Sequence, residues 1–358
     1  MRADKVAIGP VHGEASALRV LIVDDSVVAR TVLERILTAH EGFLVAHKTN
    51  NAQQALDFLA RKPVDLILLD VEMPGQSGIV ALPKILEAGN GAKVIILSGN
   101  CQEGSAVAVE ALALGASDIL SKPDRGSFGD QFARALLGRM ERIFGAERDD
   151  DSSAAIHLRQ PSGERAIACI GVGASTGGIH ALGQLFAGMT VPMGVPILVT
   201  QHLPPSFIPY FATQLARMTS LPVKVAEQSE ILMADQIYVA PGEANLGCRR
   251  TWNGQIAVAL SSDRTPLSSL PAVDPMFMAI ARCYGSGAVG VVLTGMGRDG
   301  TSGAGHIVDG GGIVIAQDEA SSVVWGMPGS VARAGLATAL LPPEKIMPFA
   351  TQRCAILA

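Results

Sequence analysis

The chain has 358 residues, enough for two domains that each bury a core. Hydrophobic residues make up 48% and charged ones 17%, and a net charge of -5 with scattered Lys and Arg offers no basic patch for nucleic acid. Aromatic residues at 4% argue against stacking platforms for single strands as well.

The opening residues lack the apolar run of a secretory signal, and residues 1–16 read as a tail. From 17 to 144 short apolar runs alternate with amphipathic segments. RVLIV, FLVAHK, DLILL, KVIIL and DILS read as strands. Helices are expected at Ser26–His40, Ala52–Arg61, Ile79–Ala88, Ser105–Leu114 and Phe128–Phe144, with a kink or late start at Pro83. Repeated strand–helix units predict a parallel, doubly wound (βα)5 sheet. Polar residues then follow the strands: Asp24 and Asp25 after the first, Asp70 after the third, Ser98 after the fourth, Lys122 after the fifth. That sheet edge is where open α/β folds bind ligands. Adjacent carboxylates repel unless a cation holds them, and oxygen ligands suit Mg²⁺. Asp70 is then placed to accept a phosphoryl group, with Ser98 and Lys122 steadying its oxygens.

VDDS, LLDVEMPGQSG, ILSGN and SKP resemble the receiver domain of two-component response regulators. The resemblance implies that a histidine kinase phosphorylates Asp70. Two positions depart from the pattern. Ser77 stands where an acidic residue is usual, and Ile119 stands where an aromatic is frequent and often takes part in switching.

Residues 145–165, GAERDDDSSAAIHLRQPSGER, carry no apolar period and read as a linker. Beyond it, Ala166 to Ala216 contains no charged residue. Gly, Pro and polar residues interrupt this stretch too often for a membrane span, so no membrane insertion is expected and a buried parallel sheet explains it. Strands are expected at Ala168–Gly171, Pro196–Gln201, Val223–Ala226, Gln236–Ala240, Val289–Thr294 and Gly312–Ala316. TWNGQIAVAL reads as a hairpin turning at Asn253–Gly254. The second half, 166–358, is thus another α/β domain. Cys101, Cys169, Cys248, Cys283 and Cys354 show no metal or redox spacing and read as small buried hydrophobes in a reducing cytoplasm.

CIGVGASTGG, Cys169–Gly178, is a strand that ends in glycines around one serine. A dinucleotide loop would need glycine at Thr176 and an acidic residue after the next strand, where Gln201 and His202 stand instead. G-x-S-x-G fits better: a strand–turn–helix elbow that presents Ser175 as a nucleophile. His202 follows a buried-looking strand at the same edge, whereas His180 and His306 lie on helices and are weaker candidates for a base. Asp299, in the turn after Val289–Thr294, supplies the orienting acid. N–H groups around Gly295–Gly297 are candidates for an oxyanion hole. The order Ser, His, Asp excludes the ordinary α/β-hydrolase, which runs Ser, acid, His.

IGVGASTGG, QHLP, YVAPG, LTGMGRDG and GMPGS resemble the catalytic domain of chemotaxis protein-glutamate methylesterases (the CheB family), which also carry an N-terminal receiver. The resemblance implies Ser175 as nucleophile, His202 as base, Asp299 as orienter and the Met296 N–H in the oxyanion hole. Arg298 stands where Asn is more frequent. It further implies a cytoplasmic enzyme that demethylates, and often deamidates, methyl-accepting chemoreceptors. Hydrolysis would need no cofactor, and Mg²⁺ would serve the receiver. The alternative is a response regulator whose second domain only binds a partner. Labelling of Ser175 by a fluorophosphonate separates the two.

Overall fold

The computed structural model describes residues 17–99, 102–123, 129–145, 156–160, 166–189, 193–263 and 269–353. Cys101, Cys354, Phe128, the tail 1–16 and most of the linker lie outside the described residues. The N-terminal half runs β1 (Leu18–Val23), α1 (Val27–Thr38), β2 (Phe43–Thr49), α2 (Ala52–Leu59), β3 (Leu66–Asp70), α3 (Gly78–Gly89), β4 (Lys93–Ser98), α4 (Gln102–Leu114), β5 (Asp118–Ser121) and α5 (Asp130–Gly145). Its strands form one parallel sheet in the order β2-β1-β3-β4-β5. β3 is buried along its whole length because helices cover both faces, which is why it reads as a continuous apolar run. Side-chain oxygens of Ser26, Asn51 and Ser77 accept from the N–H groups of Ala29, Gln54 and Val80 and so start α1, α2 and α3. Ser77 is thus the cap of α3. α3 begins at Gly78 and contains Pro83, so the late start expected there does not occur.

The second half runs β6 (Cys169–Ala174), α6 (Gly178–Ala187), β7 (Ile197–Gln201), α7 (Ile208–Met218), β8 (Val223–Val225), β9 (Ile237–Val239), β10 (Asn245–Arg250), β11 (Ile256–Ser261), α8 (Val273–Tyr284), β12 (Ala288–Val292), α9 (Thr301–Asp309), β13 (Ile313–Gln317), α10 (Gly326–Arg333), β14 (Ala339–Leu341) and α11 (Pro343–Arg353). A parallel sheet has the order β14-β13-β12-β6-β7-β9-β8, and β10-β11 is a separate antiparallel hairpin. β14 is an apolar run of three residues stopped by Pro342–Pro343, too short for its sequence to announce a strand. The hairpin also differs from expectation. Its first arm is β10, upstream of TWNGQIAVAL, and it includes Gly247 and two arginines that hide any alternation. Gly254 takes φ +85° but Asn253 stays out of the left-handed region, so the connection is not the two-residue mirror-image turn.

The two halves share a core. Ala108, Val109 and Leu112 of α4 belong to one apolar cluster with Ile179 and Leu182 of α6 and Phe211 and Leu215 of α7. His180 Nδ1 meets the Ala113 carbonyl oxygen across this face at 3.0 Å, and Gln184 Nε2 lies 3.1 Å from His180 Nε2. Val324, in the loop before α10, joins the opposite cluster with Phe132 and Leu136 of α5.

Candidate active site

Chain order reverses between β6 and β12, which lie side by side at the centre of the second sheet. Such a switch point opens a crevice beyond the strand ends. Ser175 sits there, immediately after β6. Its N–H donates to Thr294 O at 3.1 Å, and its carbonyl accepts from Gln201 Nε2 at 2.8 Å. Gly177 then takes φ +76°, and a Cβ on it would meet Val323 Cγ2 at 2.5 Å. Gly295 faces the serine so closely that a Cβ would lie 2.7 Å from Ser175 Cβ. These glycines are therefore steric requirements of the elbow.

Behind the elbow stands a buried polar scaffold. Thr294 N donates to Gln317 Oε1 at 2.7 Å, and Thr294 Oγ1 donates to Thr176 O at 3.0 Å while accepting from Val324 N at 3.0 Å. Gly295 N–H is taken by Val324 O, so it is not available to a developing oxyanion. Met296 N–H has no acceptor among the described residues, and the residue is 43% exposed.

His202, just past β7, points Nε2 at Asp299 Oδ2, 2.8 Å away. Asp299 also accepts from Val273 N at 2.7 Å, Asp274 N at 3.0 Å and Gly300 N at 2.9 Å. Val273 and Asp274 open α8, so the carboxylate caps that helix from outside and meets the positive end of its dipole. Burial pushes the Asp299 carboxyl up. The His202 hydrogen bond and charge, with the two helix N–H groups, outweigh it and hold its pKa below the usual value. Asp274 is moved the other way, raised first by burial and also by the nearby Asp299 charge, against its hydrogen bond from Gly303 N.

The first sheet has its own switch point between β1 and β3. Lys122 Nζ bridges Asp24 Oδ2 at 2.8 Å and Asp70 Oδ2 at 2.7 Å. Asp24 and Asp70 are buried and Asp25 is exposed, and carboxylate oxygens of all three lie within 4.8 Å of one another. This all-oxygen set is an acidic cluster typical of a Mg²⁺ site. Burial pushes the Asp70 carboxyl up to about 6 against the lowering pull of Lys122. Burial works against the Lys122 ammonium too, but the two carboxylates overcome it and raise its pKa. Ser98 is buried at the end of β4, beside Asp70 at the end of β3. Ile119 is buried in the cluster that includes α4.

Comparison with known proteins agrees with this architecture. Residues 170–349 match the CheB methylesterase family and 20–128 the response regulator receiver domain. A protein-glutamate methylesterase/protein-glutamine glutaminase of Caulobacter vibrioides is 40% identical over 95% of this chain and 100% of its own length. One from Rhodospirillum centenum is 35% identical over 95% of each chain. The chain belongs to the CheB methylesterase family. The crystal structure of the Thermotoga maritima CheB methylesterase catalytic domain is 37% identical, covering 51% of this chain and 97% of that one, with a TM-score of 0.49.

In this CheB methylesterase, the motifs singled out Ser175, His202 and Asp299 as candidates but not what holds them. Gln201, Thr294 and Gln317 are single polar residues at strand ends, indistinguishable in sequence from loop residues. Val273 and Asp274 act through backbone N–H groups, which no motif of side chains reveals. The only hint was the acidic residue in the first turn of α8.

Proposed function

We propose that Ser175, His202 and Asp299 carry the hydrolysis performed by this protein-glutamate methylesterase/protein-glutamine glutaminase, acting on γ-glutamyl methyl esters of methyl-accepting chemoreceptors. The reading rests above all on the His202–Asp299 pair, clamped by the first turn of α8 at the sheet edge that carries Ser175. Ser175 Oγ attacks the ester carbonyl. Because His202 commits Nε2 to Asp299, Nδ1 is the ring nitrogen left to take the serine proton. Met296 N–H stabilises the oxyanion, a contribution of roughly 10²–10³ in rate per donor. The imidazolium gives the proton to the departing methoxide oxygen, which leaves as methanol, or to the amide nitrogen of a glutamine, which leaves as ammonia. Water activated by His202 then frees glutamate from Ser175. Asp299 stays ionised and balances the imidazolium charge.

The proposed domains are a receiver at 17–144, a linker at 145–165 and a catalytic domain at 166–358. A histidine kinase of the cytoplasm is the proposed phosphodonor to Asp70. Asp24, Asp25 and Asp70 would hold Mg²⁺, which when bound screens their charge from an incoming phosphoryl group. Ser98 and Lys122 then contact the phosphoryl oxygens, and EDTA is expected to stop phosphoprotein formation. The α4 face that packs on α6 and α7, and the shared Val324 loop beside the elbow, support a receiver that restrains the catalytic half until phosphorylated. The test is methanol release from methylated receptor, with and without acetyl phosphate. Release that depends on Ser175 and rises with the phosphodonor supports the assignment, and full release by a folded Ser175→Ala protein overturns it. Residues 150–358 alone should be faster than the unphosphorylated chain. If they are not, the receiver works by recruitment.

A further inference from the structure

Cysteines that no spacing connects in the sequence converge where the β10–β11 hairpin packs on α8. Cys248 lies on β10 and Cys283 in the last turn of α8, both as free thiols. In the thiol form Cys283 Sγ donates to the Cys248 carbonyl oxygen at 3.5 Å; once ionised, its sulfur accepts from the Cys248 thiol. Cys283 is half-buried, and Cys248, itself buried, is among the residues lining a cavity of about 480 Å³ between hairpin and helix. Arg250 Nη2 donates to the Cys283 carbonyl at 3.0 Å, and the charges of Arg250 and Arg282 both act on the Cys283 sulfur. Donation from Cys248, helped by these charges, lowers the Cys283 thiol to about 7. Cys248 is pushed up and keeps its proton. A thiolate beside a protonated thiol in an electropositive, accessible place differs from a structural buried cysteine.

We propose that Cys283 and Cys248 form an oxidisable dithiol, in which Cys283 reacts first with a peroxide and Cys248 resolves the product. The Cys283 thiolate attacks one peroxide oxygen, the O–O bond breaks, and hydroxide leaves and is protonated to water. The sulfenic acid formed is attacked by the Cys248 sulfur. The S–O bond breaks, and a second water leaves with the Cys248 proton. Two thiols and one hydrogen peroxide thus give one disulfide and two waters. The bond would tie β10 to the end of α8, the helix whose first turn holds Asp299. In a reducing compartment such a disulfide is transient, as expected of a sensor rather than a staple.

The test uses the full chain, treated with hydrogen peroxide, alkylated and digested without reductant. The expected product is a Cys248–Cys283 peptide lacking both thiol hydrogens and cleaved by dithiothreitol. Before oxidation, iodoacetamide should label Cys283 at least about tenfold faster than Cys248 near neutral pH. In Cys248→Ser, dimedone should trap the sulfenic acid at Cys283. A cross-link from Cys283 to the buried Cys169 instead would overturn the pairing. So would a Cys283 that yields neither cross-link nor dimedone adduct at peroxide levels that oxidise free cysteine. The wild-type peptide map decides the matter if a variant fails to fold.

Discussion

The two sheet edges solve the same problem in opposite ways. Each gathers polar side chains at a switch point of a parallel sheet, and each places an aspartate there, Asp70 buried and Asp299 half-buried. Asp70 meets a lysine and two other carboxylates, and burial leaves its pKa raised to about 6. Asp299 meets a histidine and the first turn of a helix, and its pKa is lowered. Backbone N–H groups are fixed by the fold and cannot leave, so Asp299 is ready before any substrate arrives. Lys122 offsets only part of the charge at Asp70. The first edge is therefore an unfinished site that gains from a cation or a transferred group, and the second is a finished one.

The contrast can be broken at several points. The largest effect is expected from Ser175→Ala, which should lower methanol release by about 10⁴–10⁶-fold with an unchanged urea midpoint. Asp299→Asn should cost about 10²–10⁴-fold, because the helix N–H groups remain but the charge that balances His202 is gone. A loss below tenfold would mean that Asp299 does not orient the base.

Asp70→Asn addresses the unfinished edge through stability. The raised pKa of Asp70 gives stability that is complete below its unfolded value of 3.8 and lost as pH rises through about 6. Without divalent cations, Asp70→Asn should therefore stabilise the chain by about 1–3 kcal/mol near pH 8 and hardly at all near pH 4. Urea titrations at both pH values read this out, and equal effects at both would mean that burial does not strain Asp70. The smallest effect is at the shared face. His180→Ala removes the hydrogen bond to Ala113, worth about 1 kcal/mol net, and should raise the unphosphorylated hydrolysis rate by about 2–5-fold. A rate below wild type would argue against restraint by the receiver.

Both sheets were legible in outline because buried parallel strands read as unbroken apolar runs that stop at polar residues. The acidic edge, Ser175 and His202 stood out as candidates because each directly follows such a run, and Asp299 because it lies in the glycine-rich turn seven residues beyond β12. β10 and β14 were not legible. One is disguised by Gly247 and Arg249–Arg250, and the other is too short to carry a period. The turn that surrounds Asp299 with N–H donors depends on where α8 starts, which the sequence marks only weakly through Asp274 and Pro275 in the first turn, while packing against β6 and the hairpin fixes its position. His180 looked like a minor candidate base. It contacts the other half of the chain instead, because its helix face is turned toward α4.

The pairing of β6 with β12 has a consequence for how the molecule is made. Cys169 pairs with Ala288 and Gly173 with Val292, partners separated by most of the second half. Contacts this distant in sequence are slow to form, since a long loop must close before they repay its entropy. During synthesis the N-terminal sheet, whose neighbours are closer in sequence, can fold while β12 is still inside the ribosome. The strand that leads into Ser175 must wait with one edge open until β12 emerges, so the hydrolase half is completed only after the N-terminal sheet has had time to fold.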